Sequence, residues 1–183
     1  MLFAEKEILL KDGTAAILRA PRETDAAELI CFLQDICSET DFLLRTSEEC
    51  DMPLEVEQRF IRSINDAENR MMILCEVDGK IVGNCDLSLM TQRQKTRHRG
   101  TIGISIRQAY WGRGIGTALM SELIASARQQ EGITQLELEF LEGNSRARSL
   151  YEKMGFRLVG IRPNAYRLSD GKLHNEYIMM LEL

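Results

Sequence analysis

Apolar residues recur along this chain at two different spacings, and the places where the spacing changes mark its elements. Glu7 to Leu10 and Thr14 to Arg19 flank Lys11-Asp12-Gly13, whose Asp-Gly step supplies the positive φ of a tight hairpin turn. After Pro21 the period lengthens: Ala26, Leu29, Ile30, Leu33 and Cys37 predict a helix capped by Thr24 or Asp25. Asp51-Met52-Pro53 opens a second helix, with Glu55 and Glu57 in its first turn and Val56, Phe60 and Ile64 as its buried stripe. The period then drops to two. Met71 to Val77, an Asp78-Gly79 turn and Ile81 to Met90 read as a second hairpin, with Cys85, Leu87 and Leu89 on one face and Asp86 and Ser88 on the other. Thr101 to Ile106 is a strand turning Ile102, Ile104 and Ile106 to one side.

A glycine-rich segment, Trp111 to Gly116, leads into a helix with Leu119, Leu123 and Ala127 inward. Gln135 to Phe140 follows as a strand, and Asn144 or Ser145 opens a helix carrying Ala147, Leu150, Tyr151 and Met154, stopped by Gly155. Strands near Phe156 to Arg162 and His174 to Leu183 finish the chain. Thr101 to Phe140 is thus a βαβ crossover, which requires two parallel strands inside an otherwise antiparallel set. The predicted fold is α/β: a mixed, mostly antiparallel sheet with a central parallel βαβ pair. No repeat or linker interrupts it, so residues 1–183 read as a single domain.

Composition narrows the function classes. Among 183 residues, 23 Lys and Arg against 28 Asp and Glu give a formal charge of −5, which lacks the basic footprint of a nucleic-acid binder. The basic cluster from Arg93 to Arg99 reads as a solvated loop. No apolar run reaches the roughly 18–20 residues of a membrane helix, and the first residues carry no secretory signature. Cys31, Cys37, Cys50, Cys75 and Cys85 form no C-x-x-C pair, so reduced, mostly buried thiols and a cytoplasmic location are expected. His98 and His174 stand at no ligand spacing from a cysteine, and no metal site is expected.

The chemistry concentrates in two segments. In Trp111-Gly112-Arg113-Gly114-Ile115-Gly116, alternate glycines leave backbone N–H groups bare at the positive end of a helix dipole, a cradle for phosphate oxygens. A P-loop is excluded by spacing, and a dinucleotide site lacks its G-x-G-x-x-G and parallel βαβ run. Coenzyme A remains, beside the bland reading of a tight turn without a ligand. The second segment, Asn144 to Phe156, reads N-x-x-A-x-x-L-Y-x-x-x-G-F. With it, and with Ile104-Ser105-Ile106 before the Arg113-Gly114-Ile115-Gly116 loop, the chain resembles the GCN5-related N-acetyltransferases (the GNAT family) over residues 13–183. One position departs from the family: Trp111 stands where its Q/R-x-x-G-x-G/A motif begins with Gln or Arg.

The resemblance implies an acyl-CoA N-acyltransferase fold whose parallel pair splays to admit CoA, and acetyl transfer from acetyl-CoA to an amine. The pantetheine arm would bond the strand edge at Ile104, Ser105 and Ile106. Trp111, Gly112, Arg113, Gly114, Ile115, Gly116 and Thr117 would form the pyrophosphate loop, and Asn144 would contact the arm. Tyr151 would supply a proton to the departing thiolate. The plainer reading of Tyr151 is a core aromatic on the Ala147–Leu150–Met154 stripe, and that of Asn144 a helix cap, a role compatible with contacting the arm. Many relatives carry a Glu base where this chain has Thr101, which leaves Glu137, Glu139, Asp86 or water to take the amine proton. The acidic segment Ser38 to Asp51 is expected to face the acceptor, whether small metabolite, polyamine, antibiotic or peptide amine. Family members often pair, so a homodimer is an expectation, although no residue establishes it. The alternative to an enzyme is a non-catalytic acyl-CoA-binding or sensing domain.

Overall fold

The computed structural model describes residues 1–183. Eight strands form one sheet: β1 (Lys6–Leu9), β2 (Ala15–Arg19), β3 (Arg70–Val77), β4 (Lys80–Leu89), β5 (Arg99–Ile106), β6 (Gln135–Leu141), β7 (Arg157–Arg167) and β8 (Leu173–Glu182). Their order across the sheet is β1-β2-β3-β4-β5-β6-β8-β7. Only β5 and β6 run parallel. Four helices complete the chain: α1 (Ala26–Glu39), α2 (Leu54–Asn65), α3 (Ile115–Arg128) and α4 (Ser145–Lys153).

Period-two alternation decides which strand faces are dry. Cys85 and Leu87 on β4, Ile102 on β5, and Leu136, Leu138 and Phe140 on β6 are buried in the main core with Leu119, Leu123 and Ala127 of α3 and Tyr151 of α4. On the opposite face α1 and α2 cover only the early half of the sheet, burying Leu29, Phe32, Ile36, Ile61 and Ile64 over Met72, Leu74 and Ile81. The face therefore continues uncovered by helix toward β5, β6 and β8, and its residues there are mainly polar. The turn glycines behave as expected: Gly13 has φ 84°, and Asp78 and Gly79 have φ 50° and 73°, the paired positive values a two-residue hairpin requires.

The two stripes expected on the first helices are rotated. In α1 the buried positions are Ala26, Leu29, Phe32 and Ile36, while Ile30, Leu33 and Cys37 are half-buried. In α2 Ile61 and Ile64 are buried with Glu57, whereas Val56 and Phe60 are exposed, Phe60 lying beneath the Arg70 guanidinium at 5.5 Å. Each helix meets the sheet and its partner helix at once, so the line of greatest burial lies between two apolar rows. Asp25 does not cap α1. Its carboxylate is taken by Arg19, with Nη1 and Nη2 donating at 2.6 and 3.0 Å, and by the Arg22 N–H at 2.7 Å. The final strands are longer than expected because β7 and β8 continue their ladder to the Tyr166–His174 and Arg167–Leu173 pairs. Arg99 is not loop but the first residue of β5, and it donates two hydrogen bonds to Glu137.

Candidate active site

A cleft of about 1380 Å³ opens where the parallel pair comes apart. β5 and β6 are paired only at Arg99–Gln135, Gly100–Leu136 and Thr101–Glu137. Beyond these pairs β5 runs on to Ile106 bonded to β4, and β6 runs on to Leu141 bonded to β8. The edges between them have no partner, and an unpaired edge is a ready template for an extended ligand. Alternation sets which groups face the gap. Arg107 N–H donates to Val82 O at 2.9 Å across the β4 side, so Gly103 and Ser105 also turn their backbone groups to β4. Ile102, Ile104 and Ile106 turn theirs to the gap. Trp111 Nε1 already donates to Ile106 O at 2.8 Å, leaving Ile104 and the Ile106 N–H as the open edge. Of the segment expected to bind the arm, Ser105 thus presents only its side chain to the cleft.

The glycine loop closes one end. Gly112 and Gly114 have φ 80° and 97°, values that side chains strongly disfavour. None of the N–H groups from Gly112 through Thr117 donates to another group of the chain; Ala118 N–H, bonding Gly114 O at 3.1 Å, is the first of the segment to do so. A row of free donors at the start of a 14-residue helix favours an anion. Gly116 packs closely under α4: a Cβ there would lie 2.9 Å from Leu150 Cδ2 and would push that side chain aside. Trp111 acts as a strut: besides its bond to Ile106 O it carries the Arg146 guanidinium 4.6 Å above its ring. Three cations stand at this end that the sequence analysis does not single out. Lys11 lies along Gly114 with its N–H bonded to Arg113 O, Arg146 stacks on Trp111, and Lys153 donates to Thr117 Oγ1 at 3.2 Å. Lys153 shares the α4 motif and was within reach of a sequence argument. Lys11, a hundred residues upstream of the loop, carried no signal.

Replacing Gly114 by Val places a β-branched side chain at φ 97° and 3.3 Å from Lys11 Cγ. Such strain costs about 1–3 kcal/mol. Calorimetric titration of Gly114→Val with acetyl-CoA is expected to show affinity about tenfold weaker or worse, because the loop relaxes away from the shape that aligns its N–H groups.

α4 holds two further residues on the cleft wall. Asn144 caps the helix, its Oδ1 accepting from Ala147 N at 3.1 Å, so the cap role is present and the amide nitrogen is left to the cleft. Tyr151 is buried against Phe140 and Phe156, with ring centroids at 5.5 and 6.3 Å, so the core role is present too. Burial pushes its phenol up to about 12. Its hydroxyl makes no hydrogen bond within the chain and the residue lines the cleft.

The remaining wall is the polar sheet face. Thr101 Oγ1 donates to Ser88 O at 3.5 Å and offers no basic group. Glu137 is held by Arg99 and by Gln135 Nε2 at 2.5 Å, and the Arg99 contact keeps its carboxyl below the usual range, removing it from the candidate bases. Glu139 stands 3.7 Å from Arg162, and burial beside Glu176 raises its carboxyl. Glu176 is bonded by Arg162 and Tyr166. Asp86 has no ion pair or hydrogen-bond partner, and burial raises its carboxyl while Arg70 partly offsets this. The acidic segment after α1 does line the cleft, from Ser38 to Glu48. Part of its charge is spent internally: Glu39 accepts from Gln108 N at 2.7 Å and Glu49 from Thr46 N at 2.9 Å.

Comparisons agree with this geometry. Residues 35–156 match the model of the Acetyltransferase (GNAT) family. The chain is 28% identical over 110 residues to the L-amino acid N-acetyltransferase AaaT of Escherichia coli, covering 60% of this chain and 66% of that protein. It is 42% identical over 76 residues to a ribosomal protein bS18-alanine N-acetyltransferase of Haemophilus influenzae, covering 42% and 51%. The matches thus span between about half and two thirds of these curated relatives. Among solved structures, an acetyltransferase of GNAT family from Streptococcus pneumoniae superposes with a TM-score of 0.86 at 29% identity, covering 92% of this chain and 99% of the other. With a family match over most of the central chain and a parallel pair that opens beside an unfilled row of backbone donors, this chain belongs to the GNAT family of acetyltransferases.

Proposed function

We propose that the protein transfers the acetyl group of acetyl-CoA to a primary amine by direct attack. The observation that carries this reading is the β5 edge left open at Ile104 and the Ile106 N–H, running into the free N–H groups of Gly112 to Thr117. A pyrophosphate fits the donors, with Lys11 and Lys153 beside it, and an extended arm fits the edge as an added strand would. The thioester then lies in the gap, with the Ile104 and Ile106 N–H groups within the gap to stabilise the oxyanion. The amine nitrogen forms its bond to the carbonyl carbon, the tetrahedral adduct collapses, and the C–S bond breaks with its electrons on sulfur. Tyr151 supports that sulfur as a hydrogen-bond donor. The ammonium sheds one proton before attack, and the adduct nitrogen sheds a second as the C–S bond breaks, which the thiolate takes up through solvent, so the products are the amide, the CoA thiol and one proton. No covalent enzyme intermediate is needed, and the five cysteines take no part.

The named relatives differ in acceptor, one an amino acid and the other a ribosomal protein, and both present an amine. The test is thiol release from acetyl-CoA over a panel of L-amino acids, a tripeptide with a free amino terminus, spermidine and an aminoglycoside. Release with at least one amine supports transfer. Tight acetyl-CoA binding by calorimetry with no release over the panel would instead identify a sensing domain, and absence of both would overturn the cofactor reading as well.

A further inference from the structure

We propose that Asp86 takes the proton shed by the acceptor ammonium. The inference rests on the transfer reading above. The β4–β5 register sets Asp86 opposite Gly103 and Asn84 opposite Ser105, and all four line the cleft. Gly103 explains how the carboxylate reaches it. A Cβ at that position would lie 2.7 Å from Asp86 Oδ1, so the carboxylate fills the space a side chain would take and lies across β5 just past the last β5–β6 pair. It stands where the thioester would enter.

Asn84, two residues earlier on the same strand face, buries its carboxamide oxygen without a hydrogen-bond partner, out of reach of a ligand in the cleft, so Asp86 is the accessible acceptor on this stretch of β4. An ionised carboxylate only accepts, which suits an ammonium, with its several N–H donors, better than a hydroxyl.

The other carboxylates of this face are engaged. Glu137 belongs to Arg99, Glu176 to Arg162 and Tyr166, and Glu139 leans toward Arg162. The charged groups around Asp86 are Arg70 on β3, the Arg99–Glu137 pair across β5 and β6, and Glu139 farther along β6. Burial raises its basicity, as a group that must accept a proton near neutral pH requires. The step balances: R-NH3+ and the Asp86 carboxylate give R-NH2 and the acid, the amine attacks, and the acid returns its proton to solvent through the open cleft.

The test uses the full chain and the panel amine with the fastest thiol release. Asp86→Asn is expected to lower kcat/KM for that amine about 10²-fold at pH 7. The deficit should shrink as pH rises and the amine sheds its own proton, and hydroxylamine, already unprotonated at neutral pH, should show a much smaller loss. Acetyl-CoA affinity and the melting temperature of Asp86→Asn are expected to stay near the wild-type values, which separates loss of the base from a structural defect. A deficit in Asp86→Asn equal at every pH and for both amines, or wild-type kinetics in that variant, overturns the assignment. If wild type releases no thiol with any amine, it is the transfer reading that fails.

Discussion

Replacing Tyr151 by Phe is expected to lower kcat by ~10–10³-fold while leaving acetyl-CoA affinity unchanged. The ring's packing against Phe140 and Phe156 is kept in the variant, and the hydroxyl has no partner within the chain to lose, so stability should barely move. What disappears is the donor at the sulfur. With the phenol held up to about 12, Tyr151 keeps its proton through the working pH range. A simple thiol ionises near 8.5, so complete proton transfer from this phenol to a finished thiolate runs uphill. The contribution is therefore a hydrogen bond that strengthens as charge grows on sulfur, which is how a donor accelerates bond breaking. Two measurements check it: steady-state kcat by thiol release beside acetyl-CoA calorimetry, and the pH profile of wild type, in which Tyr151 contributes no alkaline fall below about pH 11. Unchanged kcat in Tyr151→Phe removes the residue from the mechanism and leaves it a core aromatic.

Arg19→Ala is expected to destabilise the fold by about 3–5 kcal/mol, the usual cost of stranding a buried charge. Arg19 is 5% exposed and holds Asp25 through two bonds, Glu76 at 2.7 Å and Ala20 O at 3.2 Å, tying β2 to β3 and to the turn that starts α1. Removing it leaves Asp25 buried with only the Arg22 N–H. In a chain of this size the loss corresponds to a melting temperature lower by about 6–20 °C. Arg22→Ala is the control: its bond to Glu5 joins two exposed side chains, a pairing that contributes at most about 1 kcal/mol. The sign of the pH dependence follows from Asp25. Burial raises its carboxyl, but Arg19 and the Arg22 N–H together lower it below the usual value. Its contribution is thus present above the ordinary carboxylate range and is lost as pH falls through the lowered value. Thermal melts across that range, in wild type and Arg19→Ala, check both claims.

Legibility differed by the kind of interaction. Strands with one dry face declared themselves, because a period of two leaves no other way to bury Cys85, Leu87, Ile102 and Leu138 together. The glycine loop and the cap at Asn144 were legible because backbone geometry at single residues is a local property. The stripes of α1 and α2 were misplaced, since a helix packed against two neighbours buries a line that its own sequence does not single out. Asp25 looked like a cap until Arg19 claimed it, and Glu137 looked like a free base until Arg99 did.

The order of elements, the Gly112–Thr117 donors and the α4 motif follow from residues adjacent along the chain, and the sequence alone determined them. The width of the opening between β5 and β6, the closure of the loop by Lys11, and the solitude of Asp86 beside Gly103 depend on residues brought together from distant segments. Only the tertiary structure decides these, because whether a charge is paired or free depends on its neighbours in space.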